Sequence, residues 1–185
     1  MSCKEFAISV AFVTMGGITP LLQTLRELEQ RNIPGKILTT DYLTFSDPKA
    51  LRILANFKNI ELKMFVTENA KDGFHTKGYI FKKEEMYRII VGSSNMTLSA
   101  LTTNREWNTK IVSTEQGEYA RSVVAEFEQL WNAKHHYLLN SLLKHIQMFI
   151  LRIRLFRARK KLQSKQKFRL WKYIVCSQIL CRWDL

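Results

Sequence analysis

The sequence predicts an α/β protein, a mixed β-sheet with helices on both faces, followed by a basic helical C-terminal tail. Three observations carry that expectation. Short apolar runs alternate with amphipathic segments in β-α-β-α-β order over residues 5–66, the pattern of parallel strands joined by crossover helices. Two later runs, residues 74–82 and 87–93, are joined by the four polar-flanked residues 83–86 and read as an antiparallel hairpin. The charge then divides the chain in two: residues 141–185 hold 12 basic side chains against Asp184 alone, a net +11 of the chain's +13.

Each element has its own signal. Residues 5–14 form an apolar strand, and Gly16 and Gly17 turn the chain into a helix over residues 19–31, with Pro20 at an early helical position and Leu21, Leu22, Leu25 and Leu28 on one face. Pro34 and Gly35 end that unit, residues 36–40 are a second strand, and Asp47-Pro48 opens a helix carrying Leu51, Ile53, Leu54 and Phe57. Residues 60–66 are a third strand. After the hairpin comes a Ser/Thr/Asn-rich segment, 93–104, then a strand over 106–113 and a helix over 116–134 with Tyr119, Val123, Phe127, Leu130 and Trp131 on one face. The folded domain is expected to span residues 1–138 and the tail 139–185.

Composition excludes several classes. With 46% hydrophobic residues the chain can bury a core, so disorder is not its main state. Cys3, Cys176 and Cys181 are too few for a disulfide framework and lack zinc spacing, which points to a reducing, cytoplasmic setting and to no structural metal. No apolar run approaches the ~18 residues of a membrane span. The start reads as a core strand rather than a secretory signal.

The residues with chemical content fall in the middle of the chain. His75 and Lys77 stand at i and i+2 on an expected strand, so alternation sends both to one face. Ser93 and Asn95 repeat that spacing directly after Gly92, where a backbone can approach a ligand closely. Glu106 follows at the next strand. An imidazole, an ammonium, a hydroxyl, an amide and a carboxylate on neighbouring strand ends suit phosphoryl transfer without a metal cofactor. A neutral imidazole can attack phosphorus if a carboxylate such as Glu106 holds its other N–H, while Lys77, Ser93 and Asn95 stabilise the phosphoryl oxygens. The leaving alcohol then needs a proton donor, and apart from the neighbouring pair His135 and His136 the body offers no second histidine. Asp41, at a strand end, reads as a turn residue.

The order His75-Thr76-Lys77, Gly92-Ser93-Ser94-Asn95 and Glu106 resembles the His-x-Lys and Gly-Ser-x-Asn signature of the phospholipase D superfamily. It looks most like the small nucleases and the restriction-endonuclease-like branch, and like the domain attached to certain bacterial DEAD/DEAH-box helicases. The resemblance spans residues 5–134. It implies that His75 is a nucleophile forming a phosphohistidine, that Lys77 and Asn95 bind the phosphate, that Ser93 supports it, and that Glu106 orients the histidine. It also implies DNA or another nucleic acid as substrate, and a helicase or restriction system as context. The chain departs from the family in two places. Lys82 stands where the family often has Asp, five residues after the motif Lys. One motif per chain implies a homodimer whose two-fold axis brings a second His75 as general acid.

Two rivals stay open at this stage: a non-catalytic nucleic-acid-binding module of the same fold, and a dimerisation domain. The tail reads in three ways, as an amphipathic basic helix on nucleic acid or membrane, as a partner-binding helix, or as a frameshift or truncation remnant.

Overall fold

The structure is a computed structural model that describes residues 3–42, 45–67, 73–134, 136–138, 150–151, 155 and 159–163. The chain divides into two units, residues 1–149 and 150–185. The described residues of the second unit are helical. Among the described residues no helix is long and apolar enough to cross a membrane.

The first unit is built on a seven-stranded mixed sheet. In chain order its elements are β1 (Glu5–Val10), α1 (Met15–Ile18), a 3₁₀ turn (Thr19–Leu21), α2 (Leu22–Gln30), β2 (Gly35–Thr40), α3 (Pro48–Ala55), β3 (Ile60–Phe65), β4 (Lys77–Lys83), β5 (Met86–Gly92), α4 (Leu98–Thr102), β6 (Asn108–Thr114), α5 (Glu118–Asn132) and β7 (His136–Leu138). The strand order is β6-β5-β4-β1-β2-β3-β7. β1, β2 and β3 are parallel, as their crossover helices require, whereas β4, β5 and β6 form an antiparallel meander attached to β1. The sheet changes character at β1, and in open α/β sheets the carboxyl end of such a strand is where ligands bind.

Period-two alternation sorts the side chains between the two helical layers. Leu38, Phe65, Ile80 and Ile89 point to the face covered by α5 and pack with Phe74, Ala120, Phe127 and Trp131. Their strand neighbours Ile37, Leu62 and Ile8 are buried on the opposite face, where right-handed crossovers put α2 and α3 with buried Leu25, Leu51 and Leu54. α5 is also clamped by charge: Lys63 Nζ donates to Trp131 O at 2.9 Å and lies 4.3 Å over the indole, and Lys36 pairs with Glu128 at 2.6 Å.

Local chemistry explains where the elements depart from their expected bounds. The helix expected over 19–31 starts as a 3₁₀ turn and becomes α-helical only from Leu22, and α1 precedes it outside the expected range; Pro20 has no N–H to give the preceding turn, which separates α1 from α2. α2 stops before Pro34: Asn32 takes the left-handed conformation (φ 53°), Asn32 N donates to Glu29 O and Ile33 N to Leu28 O, a Schellman closure. Asp47 caps α3 by accepting from Lys49 N at 2.8 Å, with Pro48 at the first helical position as expected. The hairpin turn is tighter than four residues, since Lys83 pairs with Met86 and Glu84 absorbs the reversal at φ 54°. Two elements escaped the sequence reading. α4 lies inside the Ser/Thr/Asn-rich segment, capped by the Thr97 hydroxyl, and β7 adds a three-residue antiparallel edge beside β3. On α5 the buried face starts at Ala120, and Tyr119 is exposed instead of joining it.

Candidate active site

The candidate residues gather at the carboxyl end of β1. Lys77 opens β4 opposite Val10, and Gly92 closes β5 opposite Asn108, so the chain segments that follow β1 and β5 and precede β4 and β6 meet at one edge. Two segments are shorter as strands than expected: His75 precedes β4 and Glu106 precedes β6, both in irregular backbone. A hydrogen bond between Ser9 and Thr76 ties the His75 segment to β1.

Lys77 reaches back over its neighbour. Its Nζ lies 2.8 Å from His75 Nδ1, 3.1 Å from Nε2 and 2.8 Å from the His75 carbonyl oxygen. A neutral imidazole has one acceptor nitrogen, so the ammonium serves whichever is unprotonated. Burial holds the Lys77 ammonium below the usual lysine range, and the nearby Glu106 charge opposes that shift.

Asn95 is fixed by its oxygen: Phe12 N donates to Oδ1 at 3.1 Å, which leaves the Nδ2 donors as the end presented to a ligand. Ser93 is fixed at its backbone and side chain. Ser93 N donates to Trp107 O at 3.0 Å, Trp107 N donates to Ser93 Oγ at 3.0 Å, and Ser93 Oγ donates to Glu106 Oε2. Gly92 permits this closeness, because a Cβ there would stand 2.1 Å from Trp107 O. At Gly17 a Cβ would stand 2.0 Å from Met96 O, so the Gly16-Gly17 pair serves the seating of α1 on the Asn95 loop.

Glu106 corrects one expectation. Its carboxylate accepts from Ser93 and, at 3.2 Å, from Asn104 Nδ2, and no hydrogen bond joins it to His75 among the described residues. Those two donors, the Ser93 hydroxyl foremost, hold it below the usual carboxylate range. Within the chain its carboxylate accepts the Ser93 proton, and its charge lies near enough to Lys77 to favour the ammonium. Asp41 is confirmed as structural: its Oδ1 accepts from Thr67 N and Thr67 Oγ1, each at 3.0 Å. His135 and His145 lie outside the described residues, as does the side chain of His136.

Three supporting residues were missed. Tyr79 donates to Ser94 O at 3.0 Å, Asn108 Nδ2 donates to Ser94 Oγ at 2.8 Å, and Asn104 steadies Glu106. The signal existed, since Tyr79 stands two residues after Lys77 and Asn108 two after Glu106, each on the face of its neighbour. Burial, with a smaller push from Glu106, raises the Tyr79 phenol to about 12, so it stays a donor.

Lys82 sits five residues along β4 from Lys77, about 17 Å away at strand rise. There it pairs with Glu115 at 2.6 Å and Glu5 at 3.5 Å and lies 5.6 Å over the Tyr87 ring. The missing motif Asp therefore removes nothing from the site. Lys82→Asp would place three carboxylates together, and we expect it to lower Tm by roughly 3–6 °C while kcat per folded molecule stays at the wild-type value, as read by calorimetry and turnover.

An α/β sheet of this order, with a His-x-Lys pair and an Asn-bearing loop at the carboxyl end of its central strand, defines a phospholipase-D-like domain. Residues 2–131 match the family described as "Cardiolipin synthase, PLD-like domain", and the chain belongs to that family. The fold is similar to NucT from Helicobacter pylori, at 15% identity over 69% of this chain and 78% of that one, TM-score 0.52. It is similar to polyphosphate kinase from Porphyromonas gingivalis (10% identity, 74% of this chain, 19% of that one, TM-score 0.54). It is also similar to phosphatidylserine synthase from Haemophilus influenzae Rd KW20 (13% identity, 86% of this chain, 41% of that one, TM-score 0.51). The chain thus spans a minor part of the latter two proteins. A search of curated proteins returns no match.

Proposed function

We propose that the chain is a phosphodiesterase that cleaves nucleic acid, DNA in particular, through a phosphohistidine formed on His75 and without a metal ion. The observation that carries the reading is the convergence of Lys77 Nζ on the His75 ring beside an Asn95 whose amide donors are left open to a ligand. A phosphodiester drawn to that edge meets one ammonium and the Asn95 amide, which together match the charge that builds on the phosphoryl oxygens, while the Ser93 hydroxyl keeps its one proton on Glu106 and holds the loop in place.

The chemistry runs in two displacements. A His75 ring nitrogen attacks phosphorus, the bond to the leaving oxygen breaks, and that oxygen takes a proton from a general acid. Water, giving its proton to the same group, then attacks the phosphohistidine and frees His75. The acid is the second copy's His75, supplied in a two-fold homodimer whose axis passes beside the site. In its parent context the domain serves as the nuclease module of a cytoplasmic helicase, restriction or repair system.

The test is cleavage of DNA and of an aryl phosphodiester in excess EDTA. Turnover in EDTA that is lost in His75→Ala supports the reading. Salt-dependent DNA binding that survives His75→Ala and drops in Lys77→Ala, with no turnover of either substrate, would instead establish a binding module.

A further inference from the structure

We propose that the open face of the β4-β5-β6 meander is a track for a nucleic-acid strand, with Lys110, Arg88 and Lys83 each holding one phosphate beyond the phosphate at His75; this rests on the phosphodiesterase reading and says how that site's substrate is held. Alternation sorts the side chains of the three strands between two faces. Their buried residues, Ile80 and Ile89, lie on the face covered by α5. On the opposite face none of their residues is buried, and Val112 (53% exposed) and Met86 (37%) stand in water. Apolar side chains left open side by side on a paired sheet mark a surface that meets a ligand. Lys77 stands three residues before Ile80 and therefore on the open face, so the track begins at the site itself.

Cross-strand register puts one cation in each row of that face. The row at the site end holds Lys77; the next holds Lys110 across from Ile90, the third Arg88 across from Val112, and the last Lys83 across from Met86. Successive rows are two residues apart, about 7 Å, close to the separation of successive phosphates along an extended strand. The charge on these strands is of one sign. Lys77–Lys83, Met86–Gly92 and Asn108–Thr114 contain no Asp or Glu, and among the described residues Lys83, Arg88 and Lys110 are exposed and carry no ion pair. Lys82 marks the contrast, since on the α5 face it takes up Glu5 and Glu115. Cations spaced over an apolar floor match a polymer whose phosphates alternate with apolar sugar and base surface, and a phosphate held at Lys77 fixes one end of that polymer in the first row. A second copy placed by a two-fold axis through this face would set the cations against their own equivalents, which repel.

The experiment measures binding of a labelled oligo(dT) to the full chain by anisotropy over a series of salt concentrations. The proteins are wild type, Lys110→Gln, Arg88→Gln, the double variant and, as an equal loss of charge away from the track, Lys58→Gln. Each single track variant should weaken binding roughly fivefold at ~0.1 M salt and flatten the slope of log affinity against log salt by about 0.7, and the double variant should lose about twice that slope. Lys58→Gln, exposed in the loop before β3, should keep the wild-type slope. Unchanged slopes in the track variants, or an equal flattening in Lys58→Gln, would overturn the proposal. So would a double variant that splits a dimer while keeping the wild-type slope, which would assign the face to a second copy, or a loss of affinity for anionic vesicles with none for oligo(dT). Turnover of an aryl phosphodiester in EDTA keeps the two readings apart. Its absence in wild type sinks the phosphodiesterase, while the salt slope alone decides the track.

Discussion

His75→Ala is expected to abolish phosphodiester cleavage, lowering kcat/KM by at least ~10³-fold, while the melting curve stays close to wild type. The size follows from its two roles. In the proposed mechanism His75 supplies the attacking nitrogen in one copy and the proton donor in the other, so one substitution would remove both from the proposed dimer. The fold has little stake in the ring, which is exposed and touches Lys77 and the edge of Phe12. Steady-state turnover of an aryl phosphodiester, with equal masses verified for the two proteins, checks the prediction. A mixture of His75→Ala and wild-type chains should show activity falling faster than the wild-type fraction.

Lys77→Ala should cost about 10²–10³-fold in kcat/KM, the usual loss when a preorganised donor to a developing oxyanion is removed. The pH profile adds a signature that a structural role would not produce. Burial holds the Lys77 ammonium below the ordinary lysine range, so its charge is present at neutral pH and is lost as pH rises through a value lower than a free lysine's. The alkaline limb of kcat/KM should therefore fall below the usual lysine range. Lys77→Arg, charged at every accessible pH, should lose that limb even where its geometry leaves it slower than wild type.

Much of the fold could be read from the sequence because alternation and crossover rules act locally. The β1-α2-β2-α3-β3 core needed only the apolar periodicity of residues 5–66 and the Asp47-Pro48 cap. The misreadings came from competition between neighbours. Pro20 looked like a helix starter, but the chain had already begun a turn at Met15 under the Thr14 cap, so the proline divided a helix instead of opening one. β7 has three residues and exists because β3 offers an unpaired edge, which no local pattern announces.

The site was legible to a different depth. The spacing His75-x-Lys77 and Ser93-x-Asn95 brought four groups to one edge because each pair lies at or just beyond the end of a strand, β4 starting at Lys77 and β5 ending at Gly92, on the same edge of the sheet. The partner of Glu106 was not legible. Spacing puts a carboxylate near a histidine and near a hydroxyl alike, and only the closed Ser93–Trp107 backbone pair decides for the hydroxyl. Lys82 shows the converse: a motif position that looks catalytic in sequence is carried to the far end of a seven-residue strand, where it binds Glu115 and Glu5.

The stereochemical course at phosphorus tests the proposed chemistry most directly. Each in-line displacement inverts phosphorus, so attack by His75 followed by attack of water gives net retention, whether or not the intermediate accumulates. Cleavage of a chiral phosphorothioate diester in isotopically labelled water should return product of retained configuration. Net inversion would mean that water attacks the substrate directly, and His75 as nucleophile would be wrong.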